Sequence, residues 1–546
     1  MTSSNENGTT ATGRYLIGID VGTGSVRTGV FDDRGTMLGS AKADITLYRD
    51  TGSIVEQSST EIWNAVCQSL RAAVQSAAVD IHSIAGIGFD ATCSLVVLGP
   101  EGAPLPVGPS ENPDRNIIVW MDHRAVEQAR RINATGHEVL KFVGGIISPE
   151  METPKLLWLQ ENRPDIFAEA WQFFDLADFL TWRATGSLTR SICTVTCKWT
   201  YLGHEQRWDE SYFRSIGLNA LADEGFSRIG TEVVAPGTPL ADGLTDQAAA
   251  ELGLVPGTPV GAGLIDAHAG GIGTVGAEGS PTDCLAYVFG TSSCTMTTTT
   301  EPVFVPGVWG PYYSAMVPDA WLNEGGQSAA GAAIDQLLAM HPAVHSARTD
   351  ADNAGIPLPV HLANLAESRA ESHSDTVFLT GDLHMVPEFL GNRAPFADPH
   401  ARAIIAGLGM ETGIDSLIRF YIAGLCAIGY GLRQIIETQA EHGAPIERIM
   451  ISGGAGQHPL VRQLLADATG KPVVATAAEE PVLLGSSILG GVAGGLFDDM
   501  PTAMQTMSRP KTTYTPAEGA CKDRHTRRFE VFRQLQDMGR KIRDRH

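Results

Sequence analysis

Residues 15–45 read YLIGIDVGTGSVRTGVFDDRGTMLGSAKADI. Tyr15 to Asp20 is a short apolar run ending in a carboxylate, and Gly22, Thr23, Gly24 and Ser25 make a tight turn after it. Val26 to Phe31 is a second apolar run, DDRG a second turn, and a third strand begins at Met37. Strand, turn, strand, turn, strand is an antiparallel meander. Residues 59–77 place Ile62, Val66, Leu70 and Val74 at helical spacing, with Ser59 or Thr60 as the cap. Residues 84–105 then predict a buried strand, a loop at Asp90 and a hairpin around GPEG.

Part of this pattern recurs. Residues 284–302, CLAYVFGTSSCTMTTTTEP, are again an apolar strand, a Gly-Thr-Ser turn and a second strand. Residues 413–443 predict a long amphipathic helix, and 448–470 a strand, a glycine-rich loop and a helix. Residues 481–497, PVLLGSSILGGVAGGLF, predict a small-residue helix able to pack closely on its neighbours. The fold class is therefore α/β, a duplicated domain with a cleft between the copies. The expected divisions are a disordered lead at 1–13, a first domain at 14–260, a second at 261–510, and a locally basic helical tail at 511–546, read as a surface-packed terminal helix.

The chain has 546 residues, 43% of them apolar, and a formal charge of -23. That charge repels a phosphate backbone, so no nucleic-acid partner is expected. No window approaches about 18 continuous apolar residues, so no membrane span is expected either. The eight cysteines are scattered, Cys193 and Cys197 forming a lone C-x3-C with no second pair. They read as packed thiols of a reduced, cytoplasmic protein.

The turn at 22–25 brings backbone N–H groups near an anion, and Thr23 and Ser25 add hydroxyls. Asp20 before it suits Mg²⁺, directly or through water. It is not a Walker A loop, since no Lys follows the glycines, and Thr28 and Gly29 miss the G-x-G-x-x-G register. With the turn at 290–293 and the glycine loop at 452–459, a nucleotide site between two phosphate-gripping turns is the reading. A second feature is GLIDAHAGG (263–271), where Asp266 stands in an apolar, small-residue run with His268 the only other ionisable group. An isolated carboxylate there is costly to bury without a task.

Taken in order, GIDVGTGSVR (18–27), WMDHRA (120–125), PKLLWLQEN (154–162), DAHAGG (266–271), GTSSC (290–294), NEGGQSAAG (323–331), FLGNRAPFADP (389–399) and ISGGAGQHPL (451–460) resemble the FGGY family of carbohydrate kinases. The resemblance runs over roughly residues 14 to 510, nearest its D-ribulokinase branch and next L-ribulokinase. It implies two duplicated actin/hexokinase-like (RNase H-like) domains, ATP and Mg²⁺ as cofactors, and a small-molecule sugar as substrate. It admits a homodimer, which no residue feature supports.

By that resemblance Asp266 is the catalytic base, and His268 a packed neighbour. The sugar contacts are Asp90, Ala91, Thr92, Lys198, Asp266 and Glu324, with Asp122 either touching the sugar or bracing its loop. Gly22, Thr23, Gly24, Ser25, Gly290, Thr291 and Ser292 clamp the phosphates, and Gly326 and Gln327 run towards the nucleotide. Gly453, Gly454 and His458 form the adenine loop, His458 standing where the family often carries Asn. Asp20 and Asp266 serve the metal, and GNRAP carries no assigned chemistry. The implied reaction phosphorylates the terminal hydroxyl of a pentulose, D-ribulose first. L-ribulose or ribitol are the alternatives within the class. A non-catalytic sugar sensor and a chaperone-like ATPase are the rivals outside it.

Overall fold

A computed structural model describes residues 14–50, 52–277 and 280–543; the lead at 1–13, expected to be disordered, lies outside the described residues. The opening meander is β1 (Tyr15–Val21), β2 (Ser25–Phe31) and β3 (Met37–Asp44). Helix α1 (Ser59–Ala77) and strand β4 (Ile84–Ala91) follow. The α1 cap is Ser58, whose hydroxyl accepts from the Glu61 N–H at 3.2 Å, one residue before the expected position. Asp90, expected in a loop, is in β4, because β4 runs on in register beside β1 as far as Ala91. Much later, β5 (Leu264–Ile265) pairs parallel with β4 and leads straight into α3 (Asp266–Val275); α2 (Ile192–Lys198) precedes both in the chain. The first sheet has the order β3-β2-β1-β4-β5.

The second half repeats it. Strands β6 (Cys284–Phe289), β7 (Ser293–Thr299), β8 (Trp309–Tyr313) and β9 (Trp321–Gln327) are followed by α4 (Gly331–Ala339) and α5 (Ile414–Glu441). Then come β10 (Arg448–Ser452), α6 (Pro459–Thr469), β11 (Val473–Thr476), α7 (Pro481–Ala493), β12 (Pro510–Tyr514) and α8 (Ala520–Arg543). The run β9-β7-β6-β10-β11 has the order of the first sheet, with antiparallel hairpins on one side and parallel strands on the other, and β8 and β12 extend its edges. Helix α5 is long and apolar enough by composition to cross a bilayer, yet 78% of its apolar window is buried inside the fold, as in a core helix.

Strand periodicity explains how the halves join. Ile17, Ile19 and Val21 pack with Ile62, Val66 and Leu70 of α1 on one face of the first sheet. The alternate positions face α7, which arrives from the far end of the chain. There the sheet offers Gly18, Gly86 and Gly88, and a Cβ on any of them would collide with a backbone oxygen of α7, that of Leu483, Gly490 and Ser486 respectively. The helix answers with Gly485, where a Cβ would collide with the Ala269 carbonyl oxygen of α3. The small-residue helix thus lies backbone-to-backbone on both sheet and α3, as its composition predicts. Gly88→Ala is expected to lower stability by about 1–3 kcal/mol, because backbone rather than a movable side chain blocks the new methyl. Chemical denaturation checks this, and an unchanged midpoint would contradict the packing.

Candidate active site

Three carboxylates stand at the C-terminal ends of adjacent parallel strands. Asp20 on β1 is the register partner of Asp90 on β4, Leu264 on β5 is that of Asp90, and Asp266 opens α3 two residues later. Ligand sites of α/β sheets gather at such strand ends. The α7-facing alternation that selects Gly18 and Gly88 also selects Asp20 and Asp90.

The three acids differ by environment. Asp20 is buried and accepts from Arg27 Nε at 2.9 Å and from a second Arg27 nitrogen, while the other arm of Arg27 reaches Glu480 at 2.7 Å. Asp90 is fully buried; one oxygen accepts from the Ser486 hydroxyl of α7, and the other has no partner among the described residues. Burial, then the Asp20 charge, pushes its pKa well above the carboxylate range. Asp266 is partly exposed, and its Oδ1 accepts from the Ala267 N–H at 2.7 Å. Burial of the carboxyl, then Asp20, pushes its pKa up to about 6. Asp266 is the acid positioned to titrate at the cleft.

The sugar residues expected from the sequence partly converge. Lys198, at the end of α2, makes no hydrogen bond or ion pair among the described residues, although it is only partly exposed. Burial opposes its charge, but Cys93, Glu324 and Tyr312 around it outweigh that and raise its pKa. Glu324 on β9 is held down to about 2: burial opposes ionisation, and His268, Lys198 and Arg393 overcome it. The Tyr312 hydroxyl near Lys198 is buried without a partner. An ammonium, two carboxylates and an unpartnered hydroxyl form a donor–acceptor set suited to a polyol. The fully buried His268 ring lies 3.1 Å from Cys193 Sγ at Nδ1 and 3.5 Å from Glu324 Oε2 at Nε2, so it is a packed, bonded neighbour of the site.

Other expected residues are placed differently. Asp90 and Ala91 are fully buried and Thr92 nearly so, its N–H donating to Val21 O at 3.0 Å. Asp122 is fully buried, with its oxygens taken by the Val55 N–H (2.7 Å) and by Arg124 N–H, Nε and NH2 at 2.7–2.9 Å. With both oxygens spent on Val55 and Arg124, it braces its loop, the second of the two roles expected of it.

The Gln327 side chain accepts from Ser293 and Tyr287 hydroxyls and donates to Ile428 O at 3.1 Å, so it ties β9 to β6, β7 and α5. His458 caps α6: its Nδ1 accepts from the Leu460 N–H at 3.2 Å, and Nε2 lies 3.3 Å from Asn364 Oδ1. Both ring nitrogens therefore serve the local structure of the loop.

The glycines divide by what surrounds them. A Cβ on Gly326, at φ +138°, would collide with the Ser293 carbonyl oxygen, and one on Gly453, at φ +93°, would sit 2.5 Å from Phe289 O. Packing alone requires glycine at both. At Gly22 and Gly290 the nearest neighbour of a Cβ is 3.6 Å away, and at Gly24 and Gly454 nothing lies within 4 Å. No packing or left-handed backbone demands glycine there. Each hairpin is closed by its first glycine, Gly22 N–H donating to Ser25 O and Gly290 N–H, in a turn one residue tighter, to Ser292 O, both at 3.0 Å. The N–H groups of Thr23, Gly24, Thr291 and Ser292 bond to nothing among the described residues. The Thr23 hydroxyl accepts from Trp120 Nε1 at 3.0 Å. The N-terminus of α4 docks on the second turn, Ala330 and Ala332 N–H donating to Thr291 O. Bare turns with free N–H groups fit phosphate.

Sequence reading missed Arg27 and Glu480 at Asp20, Ser486 at Asp90, and Arg393 near Glu324. Arg27 and Arg393 lay inside the quoted family motifs and Ser486 inside the small-residue helix at 481–497, whereas Glu480 lay in none.

Comparison with known proteins gives a consistent result. The N-terminal domain model of the FGGY family of carbohydrate kinases matches residues 15–273, and its C-terminal domain model matches 285–494. An FGGY carbohydrate kinase domain-containing protein of Homo sapiens is 44% identical over 540 residues, covering 96% of each chain. A D-ribulokinase of Saccharomyces cerevisiae is 37% identical, covering 92% of this chain and 75% of its own. The crystal structure of xylulose kinase from Rhodospirillum rubrum superposes with a TM-score of 0.79 over 97% of this chain and 99% of that one, at 21% identity. That likeness carries the two-domain actin-like fold.

Proposed function

The chain belongs to the FGGY family of carbohydrate kinases, for which ATP is the phosphoryl donor, and we propose that its acceptor is the terminal hydroxyl of D-ribulose, giving D-ribulose 5-phosphate. The observation that carries the reading is the convergence of Lys198, Asp266 and Glu324 beside two turns whose glycines no packing explains. The likeness to the yeast D-ribulokinase supports the choice of sugar.

In this reading Lys198 donates to the sugar oxygens and Glu324 accepts from its hydroxyls. Oδ2 of Asp266 has no protein hydrogen bond among the described residues, and it takes the proton of the attacking hydroxyl as the bond to phosphorus forms. The turns at 22–25 and 290–292 hold the donor's phosphates through backbone N–H groups, so the transition state is positioned rather than activated covalently. Asp20 and Asp266 fit Mg²⁺, since their mutual repulsion is what a cation relieves, and two carboxylates with phosphates and water are its usual donor set. Such an ion would neutralise charge developing on the phosphates. Arg27 takes only Oδ2 of Asp20, so Oδ1 is the oxygen that would serve such an ion, directly or through water.

The test is ADP release on D-ribulose, L-ribulose, D-xylulose, ribitol and glycerol with Mg·ATP. D-ribulose is expected to give the highest kcat/KM, by at least about tenfold, as one mispaired polar group in a built site costs that much or more. A higher value on another sugar overturns the substrate and keeps the kinase. No sugar-dependent turnover favours a sugar sensor.

A further inference from the structure

The C-terminal helix and the GNRAP loop are the two singled-out segments that the proposed reaction leaves without a role, and the structure joins them. Helix α8 is not a loose tail. Phe529 and Phe532 enter the core of the second half, and Arg528 donates to Gly381 and Leu383 carbonyls. Gln536, 3% exposed, spans two elements: its Oε1 accepts from Gln434 Nε2 of α5 at 2.9 Å, and its Nε2 donates to Glu388 Oε1 at 2.6 Å. The same Glu388 oxygen accepts from Asn392 Nδ2 at 2.7 Å. Asn392 closes the loop by exchanging backbone hydrogen bonds with Asp398, both at 2.8 Å. Arg543 of α8 pairs with Asp398, and Arg540 lies over the Phe396 ring at 3.8 Å. One helix therefore grips the loop at three points.

The loop delivers Arg393. Its neighbour Ala394 is buried against β9, where a Cβ on Gly325 would lie 3.3 Å from the Ala394 Cβ. Gly325 is the residue after Glu324. The Arg393 guanidinium is 5.5 Å from the Trp309 ring, Trp309 being the register partner of Glu324, and NH1 is 3.5 Å from Ser293 O, beside the second phosphate turn. Arg393 is partly buried and makes no ion pair within 4 Å among the described residues. Between the sugar-site carboxylate Glu324, whose charge it helps to hold, and a phosphate turn, this half-buried guanidinium makes no direct ion pair among the described residues and keeps donors for an anion or a polyol.

We propose that Arg393 is a further substrate-binding residue, contacting the sugar beside Glu324, and that α8 positions it through Gln536, Glu388 and Asn392. This rests on the sugar-kinase reading. A guanidinium placed there donates two parallel hydrogen bonds to a polyol or its phosphorylated end, which an ammonium on a shorter fork does not reproduce. Gln536 is a positioning residue, acting only through the loop.

The experiment measures the KM values for sugar and ATP and the unfolding midpoint for the full chain and for Arg393→Gln, Arg393→Lys, Gln536→Leu and Arg393→Gln/Gln536→Leu. Arg393→Gln is expected to raise the sugar KM at least tenfold while the ATP KM changes less than twofold, with Arg393→Lys intermediate. Gln536→Leu is expected to raise the sugar KM severalfold, and to add nothing in the double variant. Should Gln536→Leu fail to fold, the Arg393 pair alone decides. An unchanged sugar KM in Arg393→Gln, or parallel rises in both KM values, overturns the proposal. So does a further rise in the double variant, for the positioning by α8. Absence of turnover in the unmodified chain on every sugar tested fails the kinase reading instead, and is read separately from these comparisons.

Discussion

Asp266→Asn is expected to lower kcat on the preferred sugar by about 10²–10⁴, the usual worth of a positioned general base, with the KM for ATP little changed. The amide is isosteric, and its oxygen still accepts the Ala267 N–H, so the fold is kept. Only the capacity to take a proton is lost. The wild-type protein carries a matching pH signature. Burial and Asp20 hold the Asp266 pKa at about 6, and the base works ionised. The sign is therefore a falling rate on acidification: kcat/KM for the sugar declines below about pH 6, approaching tenfold per unit, and is flat above until another group titrates. Steady-state ADP release across pH 5–8 with both proteins is the measurement. Wild-type turnover surviving in Asp266→Asn, with the acidic limb intact, would remove Asp266 from the chemistry.

The second large effect separates two kinds of glycine. Gly24→Val places a side chain where nothing lies within 4 Å and where the backbone is not left-handed, so the unfolding free energy is expected to shift by less than about 0.5 kcal/mol. The same side chain fills the space over the free N–H groups of Thr23 and Gly24, and the KM for ATP is expected to rise by about 100-fold. Gly326→Ala has the opposite profile: the added methyl meets the Ser293 carbonyl oxygen at a left-handed backbone position, and stability falls by about 1–3 kcal/mol. Nucleotide titration and denaturation on both variants give the contrast. An unaltered ATP KM in Gly24→Val would show that this turn does not hold phosphate.

The sequence by itself determined a good deal, wherever the signal is local. Alternating apolar runs around GIDVGTGS and FGTSS predict the two hairpins at their observed places, since strand periodicity and turn glycines act within a few residues. The duplicated order of the sheets follows from that repetition. The composition of 481–497 already announces a helix lying backbone-close on its neighbours. Asp266 stands out because a lone acid among Gly, Ala, Leu and Ile needs a reason.

Tertiary structure decided what each polar group does. Asp90 reads as a site residue in a loop, yet it is sealed under α7 by Ser486, 396 residues away, a distance no spacing rule spans. Gln327 and His458 sit in ligand-type motifs but spend their side chains on α5 and on the cap of α6. Arg393 gains meaning only when α8, more than a hundred residues on, grips its loop. The glycines make the point most plainly. Gly24 and Gly88 are the same letter, but one faces open space and the other a helix carbonyl. A residue type records what a position tolerates. Only the packed neighbours, brought together by long-range burial, show whether the missing side chain makes room for a ligand or for the protein itself.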